Sequence, residues 1–297
     1  MKVYEGLDSL PQGMASEKLV EGCLVLEGGA FRGLYTQGFL DAMMANDLNL
    51  SCVIGVSAGA LAGMNYVAGQ IGRSARINLT YRHDSQYVGA KALLHSHSIL
   101  DVGFLTEGRG VYEPLAAERF YRPQQRFLAV ATNCQDGTAT YFEKGKCPDI
   151  LKAVRASATM PFISPMVYIE GVPYLDGGCS CKIPYAWALE QGFSKILVIR
   201  TREASFRKPE AENSLARRIY RRYPAFAEKL ASSDRDYNRQ CEEIEKWHVE
   251  GRLLRISPTK PVTVSRLEKD MQKLGELYFQ GYQDCLDQLE AIRQYLG

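Results

Sequence analysis

Short, almost wholly apolar runs recur along the chain at residues 23–26, 52–54, 126–132 and 195–199. Stretches of helical periodicity, at 34–44, 149–158 and 185–191, are interleaved with them. A strand that is apolar on both faces belongs in a sheet covered on both sides. The alternation therefore predicts an α/β fold, a three-layer α/β/α sandwich around a mostly parallel central sheet. Residues 140–142 read as a short partner strand, and 167–169 with 172–175 as a hairpin turning at Glu170-Gly171.

After Thr201 the pattern changes. Residues 212–231 read as one helix, with Arg217, Arg218, Arg221 and Arg222 on one face and Leu215, Ile219 and Tyr223 towards the other. Such a basic face is either solvated or a contact for anionic lipid head groups. A strand follows at 253–256, and Ser265 with Glu268 makes a capping box. The stripe Leu267, Met271, Leu274, Tyr278, Cys285, Leu289, Ile292, Leu296 then marks a long helical segment, broken near Gly281. The expected division is a leader at 1–21, a core domain at 22–202 and a mainly helical extension at 203–297 packed on that core. Residues 71–123 are less regular and read either as a lid or as a peripheral helix pair.

Composition adds limits rather than a function. With 297 residues the chain can bury a large core, and a net charge of +2 gives no reason to expect nucleic acid as a partner. The first residues lack the apolar centre of a secretory signal and no run is long enough to span a bilayer, so the protein is expected to be cytoplasmic, with any membrane contact peripheral to the inner surface. Eight scattered cysteines without a C-x-x-C pair read as reduced and structural, and no metal or other cofactor is expected.

Three loops carry the candidate chemistry. Gly55-Val56-Ser57-Ala58-Gly59 follows a strand and opens a helix, the pattern of a nucleophile elbow, although a helix N-cap serine looks the same. Glu27-Gly28-Gly29-Ala30-Phe31-Arg32-Gly33 is a strand–glycine loop–helix unit, suited to an oxyanion hole or to a dinucleotide phosphate. Its second fingerprint glycine is replaced by Ala30, which argues against the dinucleotide. Asp176-Gly177-Gly178 ends a strand, either as an active carboxylate or as a plain turn. Together the three supply a nucleophile, a carboxylate and oxyanion donors for acyl transfer.

In order and separation these loops resemble the three signatures of the patatin-like phospholipases, and Ala156-Ser157-Ala158 with Pro161 and Pro165 resembles a further stretch of that family. The resemblance covers roughly residues 22–200; the tail is similar to extensions on bacterial members. It implies a lipid acyl hydrolase acting on a lipid or lysophospholipid through a Ser57–Asp176 dyad without histidine. Gly28, Gly29 and Ala30 would then form the oxyanion hole, with Arg32 holding the loop, and Gly33, Gly55, Gly59, Gly177 and Gly178 would be motif glycines. Ala30 departs from the family's usual third glycine. Two alternatives stay open: an α/β-hydrolase triad of Ser57, Asp176 and His248, and a non-catalytic nucleotide-binding module using Gly28 to Gly33.

Overall fold

The computed structural model describes residues 2–89, 113–209 and 214–297. Its strands are β1 (Gly13–Met14), β2 (Val20–Leu26), β3 (Leu50–Val56), β4 (Gln70–Ile71), β5 (Arg126–Asn133), β6 (Ala139–Glu143), β7 (Val167–Ile169), β8 (Val172–Asp176), β9 (Ile196–Ile199) and β10 (Leu254–Ile256). The described α-helices are α1 (Gly33–Ala45), α2 (Ala58–Val67), α3 (Arg73–Tyr81), α4 (Ala117–Phe120), α5 (Ile150–Ser157), α6 (Tyr185–Glu190), α7 (Ser214–Ile219), α8 (Pro224–Val249), α9 (Met271–Asp287) and α10 (Leu289–Leu296). Of the stretch 71–123, read either as a lid or as a peripheral helix pair, residues 90–112 lie outside the described ones.

Among the described residues eight strands form the central sheet in the order β10-β9-β2-β3-β5-β8-β7, with β6 paired to β5. The pairs from β10 to β5 are parallel, and β6, β7 and β8 join antiparallel. Side chains alternate across each strand, so the apolar runs serve two cores. Leu24, Leu26 and Val53 pack with residues of α1, α2 and α9, while Cys23, Val25, Cys52 and Ile54 pack on the other side with Tyr185, Trp187, Tyr237 and Ile244. This is the expected three-layer architecture.

The register on β5 positions the chemistry. Residues Leu128 to Val130 pair with β3 on one edge and with β6 on the other, while Ala131 and Thr132 pair with β6 and with β8. Hence β8 occupies the same edge as β3, beyond its end. Val56 lies opposite Val130 and Asp176 opposite Ala131, so the residue after Val56 arrives beside Asp176.

Three expectations in the C-terminal part are corrected. The single helix over 212–231 is two helices, because Pro224 starts a new one at its first turn, where its missing N–H is harmless. The basic stripe is accordingly divided: Arg217 and Arg218 lie in α7, Arg221 and Arg222 in the turn before α8. The Ser265–Glu268 pair does bond, at 3.3 Å, but closes a turn; α9 is capped by Asp270, whose carboxylate accepts from the N–H groups of Gln272 and Lys273. Gly281 does not break the helix. It lies inside α9, where a Cβ would stand 2.0 Å from Tyr35 O, and Gly38 of α1 faces it with the same distance to Tyr278 O. The two backbones thus touch, and the helix instead breaks at Gln288.

Reciprocal buried bonds flank that crossing. Tyr278 Oη donates to Asp41 Oδ2 at 2.8 Å, and Tyr35 Oη donates to Asp284 Oδ2 at 3.0 Å. Asp41 also accepts from Gly72 N at 2.9 Å. Burial outweighs both bonds and pushes its carboxyl up to about 7. Between the ordinary aspartate value of about 3.9 and that raised value, the folded protein holds a proton that the unfolded chain releases, so this group's contribution to stability is lost as pH rises through about 7. Urea midpoints at about pH 5 and about pH 8 should therefore differ less in Asp41→Asn than in the wild type. An unchanged difference would mean that Asp41 does not carry that proton.

Candidate active site

The elbow is built by contact. A Cβ on Gly55 would lie 2.5 Å from Gly59 O, and one on Gly59 would lie 2.5 Å from Leu26 O, so the turn closes only with glycine at both positions. Ser57 between them has φ 56° and ψ −121°, a strained conformation for a side chain, costing on the order of 1–3 kcal/mol. Its N–H donates to Ser157 Oγ at 2.8 Å, and that buried serine at the end of α5 helps hold the turn. α2 starts at Ala58, directing the N–H groups of its first turn at the space around Ser57.

Ser57 Oγ donates to Asp176 Oδ2 at 2.7 Å. The other carboxylate oxygen accepts from Gly178 N at 2.7 Å, and the backbone is pinned by Asp176 N to Thr159 O at 2.8 Å. Gly177 is needed beside Val130, whose carbonyl oxygen would stand 2.1 Å from a Cβ there. Thr132 Oγ1 donates to Asp176 O at 2.8 Å and fastens the same segment to β5. Asp176 is almost fully buried, and burial pushes its carboxyl above the usual aspartate value although the Ser57 hydroxyl and Gly178 N–H pull the other way.

The glycine loop closes a third side. Gly28 backs onto Ser57, with 3.1 Å between an added Cβ and Ser57 Cβ. Gly29 lies against Thr201, two residues past β9, and Ala30–Arg32 form a 3-10 turn, in which Phe31 N donates to Arg266 O at 3.3 Å. Ala30 sits at φ 51°, the left-handed region where an alanine costs about 1–2 kcal/mol. Arg32 is buried, and its Nε finds no hydrogen-bond partner; it lines a cavity beside the Ser57–Asp176 pair, and burial pushes it down to about 10.

Two cavities meet at Ala30, Ser57, Met160 and Leu267. One is narrow and mostly apolar, walled by Phe31, Leu61, Ile77, Tyr87 and Val88. The other has a volume of about 470 Å³ and is the more polar of the two, lined by the charged Arg32, Asp176, Lys182, Arg202, Lys208 and Arg266. Sequence reasoning missed this second cavity, because its cations come from five separate places in the chain.

His248 is not brought to this site. It stands at the end of α8, where its Nδ1 accepts from Arg255 N at 3.4 Å. β10, which contains Arg255, is three strands from β3, roughly 14 Å across the sheet.

Fold and site thus define an α/β protein with a serine–carboxylate pair at the end of a parallel sheet. A model of the patatin-like phospholipases matches residues 24–189, more than half of the chain, and the chain belongs to that family. A domain of unknown function, DUF6363, matches residues 223–297. The chain is 32% identical over 183 residues to the uncharacterized protein YjjU of Escherichia coli, a match covering 60% of this chain and 51% of that protein. It is 24% identical over 184 residues to the probable lipid hydrolase 463L of Invertebrate iridescent virus 6, covering 56% and 63%. It therefore spans between half and two thirds of the length of these curated relatives. VipD of Legionella pneumophila superposes with a TM-score of 0.48 at 12% identity, over 98% of this chain and 71% of that one. Among the described residues no helix is long and apolar enough to cross a membrane.

The conformation of Ala30 makes a direct prediction. Ala30→Gly should raise stability by up to about 1 kcal/mol, the relief of left-handed strain less the added freedom of the unfolded glycine. A lower urea midpoint for the variant would show that the methyl packs more than it strains.

Proposed function

We propose that this protein is a serine lipid acyl hydrolase, cleaving carboxylic esters of lipids and phospholipids through Ser57 and Asp176. The observation that carries the reading is the 2.7 Å hydrogen bond from Ser57 Oγ to Asp176 Oδ2, at the junction of an apolar and a polar cavity. The family's description and the relative called a probable lipid hydrolase support it.

In the proposed course, Ser57 Oγ attacks the ester carbonyl carbon while its proton passes to Asp176. An ordinary aspartate, with pKa about 3.9, is a weak base near neutrality, and burial raises this one towards a more effective value. The negative oxygen of the tetrahedral intermediate is met by N–H groups of Gly29, Ala30 and the start of α2, the Gly28 N–H being directed to Lys182 O at 3.5 Å; losing one such donor costs about 2.7–4 kcal/mol. Collapse breaks the ester C–O bond, and the departing alkoxide takes the proton from Asp176. Water then repeats the sequence on the acyl-enzyme, giving a free fatty acid and the original serine. The acyl chain lies in the apolar cavity and the alcohol part in the polar one.

Hydrolysis of a panel of acyl esters, phospholipids and lysophospholipids tests this. Ser57→Ala and Asp176→Asn should each lower kcat/KM by about a thousandfold or more, with unchanged urea midpoints, while His248→Ala stays near wild type. Because the base must be ionised, kcat/KM should fall on the acid side around a pKa above that of a free aspartate. Full activity in Ser57→Ala, or an inactive but folded His248→Ala, would contradict the dyad.

A further inference from the structure

The polar cavity contains more positive charge than its carboxylates can balance. Arg32, Lys182, Arg202, Lys208 and Arg266 line it, against Glu27, Asp176 and Asp234. Each carboxylate is already engaged. Glu27 Oε2 accepts from Thr201 N at 2.6 Å, Asp176 holds Ser57, and Asp234 lies 2.5 Å from Lys208 Nζ and 3.7 Å from Lys182 Nζ. Some of the cations' polar capacity is unspent: Arg32 is 8% exposed with Nε unbonded, and Arg202 Nε is likewise buried and unbonded although its Nη1 donates to Val262 O, while Lys182 Nζ donates to Ser233 O at 2.9 Å. Burial and the neighbouring Lys208 push Lys182 down to about 8.

Aromatic rings in the same cavity would ordinarily suit a quaternary ammonium. Here the faces of Phe206 and Tyr237 are occupied by the protein's own cations, and Phe162 packs with Tyr220. Arg202 lies 4.6 Å from the Phe206 ring centre, and Lys208 Nζ lies 5.3 Å from that of Tyr237. A choline or ethanolamine group would meet like charge without a free carboxylate to receive it.

We propose that this cavity is a head-group subsite selecting a lipid with an uncompensated phosphate, a phosphate monoester without an ammonium group, and that Lys182, Arg202 and Arg266 are its specificity-determining residues. Arg266 stands exposed and Lys182 is largely buried in the same lining, so the cavity presents positive charge both near solvent and deeper in. Charge-assisted bonds to phosphate oxygens supply the discrimination. The identification of the ligand as a lipid rests on the hydrolase reading; its charge does not.

The test is equilibrium binding to the full-length Ser57→Ala protein, which needs no turnover and so is separable from the hydrolase reading. The probes are single-tailed ether analogues that differ only in head group, glycerol phosphate or glycerophosphocholine, each below its micelle concentration. The phosphate analogue should bind at least about tenfold tighter, and that preference should shrink several-fold in both Lys182→Met and Arg266→Gln. The second variant is at an exposed position, so it reports even if the first does not fold. Inorganic phosphate and glycerol 3-phosphate should bind far more weakly than the tailed analogue. Equal or tighter binding of the choline analogue would overturn the proposal. So would a tail-less phosphate binding as tightly as the lipid, which would assign the cavity to a soluble phosphate.

Discussion

The edge of β5 is the constraint on which the site depends. β3 runs parallel along it as far as Val56 opposite Val130, and β8 runs antiparallel along it from Asp176 opposite Ala131. Two strands that approach from opposite directions therefore end against consecutive residues, and a serine and a carboxylate 119 positions apart in the chain are left 2.7 Å from each other. A slip of one residue in either pairing would turn the side chain to the opposite face of the sheet. Val130, Thr132 and Gly177 hold the register, through one close backbone contact and one hydroxyl bond.

Around this fixed pair the rest of the molecule supplies contrast. One wall is apolar, from α1, α2 and α3, and the other is cationic, with Ser233, Asp234 and Tyr237 of α8 and Arg266 beyond β10 contributing to it. Residues after 203 thus form part of the site as well as part of the sheet. The α1–α9 crossing at Gly38 and Gly281, with its two tyrosine–carboxylate bonds, ties the last long helix to the helix that follows the glycine loop.

The degree to which this was legible in the sequence depends on how local each feature is. The elbow could be read directly, because Gly55, Ser57 and Gly59 meet one another within a single turn. Asp176-Gly177 could not be distinguished from an ordinary turn by itself, since its meaning lies in a pairing with β5. The β7–β8 hairpin was marked by Glu170 and Gly171, whose φ angles of 49° and 80° suit a tight reversal. Gly281 misled because a glycine in a helix reads as a weakness, whereas here it allows another helix to come close. Pro224 interrupts an apparently continuous periodicity over 212–231, and periodicity alone overlooks a restart. The cationic cavity was illegible: Arg32, Lys182, Arg202, Lys208 and Arg266 share no spacing, and only the folded chain assembles them.

The central claim is that Asp176 shares the proton of Ser57, and the most direct measurement is the pH dependence of the rate at which a fluorophosphonate modifies the protein, with the adduct located by peptide mass mapping. The account predicts a single adduct on Ser57, a rate that rises with pH as one carboxyl group of elevated pKa ionises, and loss of that rise in Asp176→Asn. Modification of Ser57 at the same rate with and without the Asp176 carboxylate, or an adduct on another residue, would contradict it.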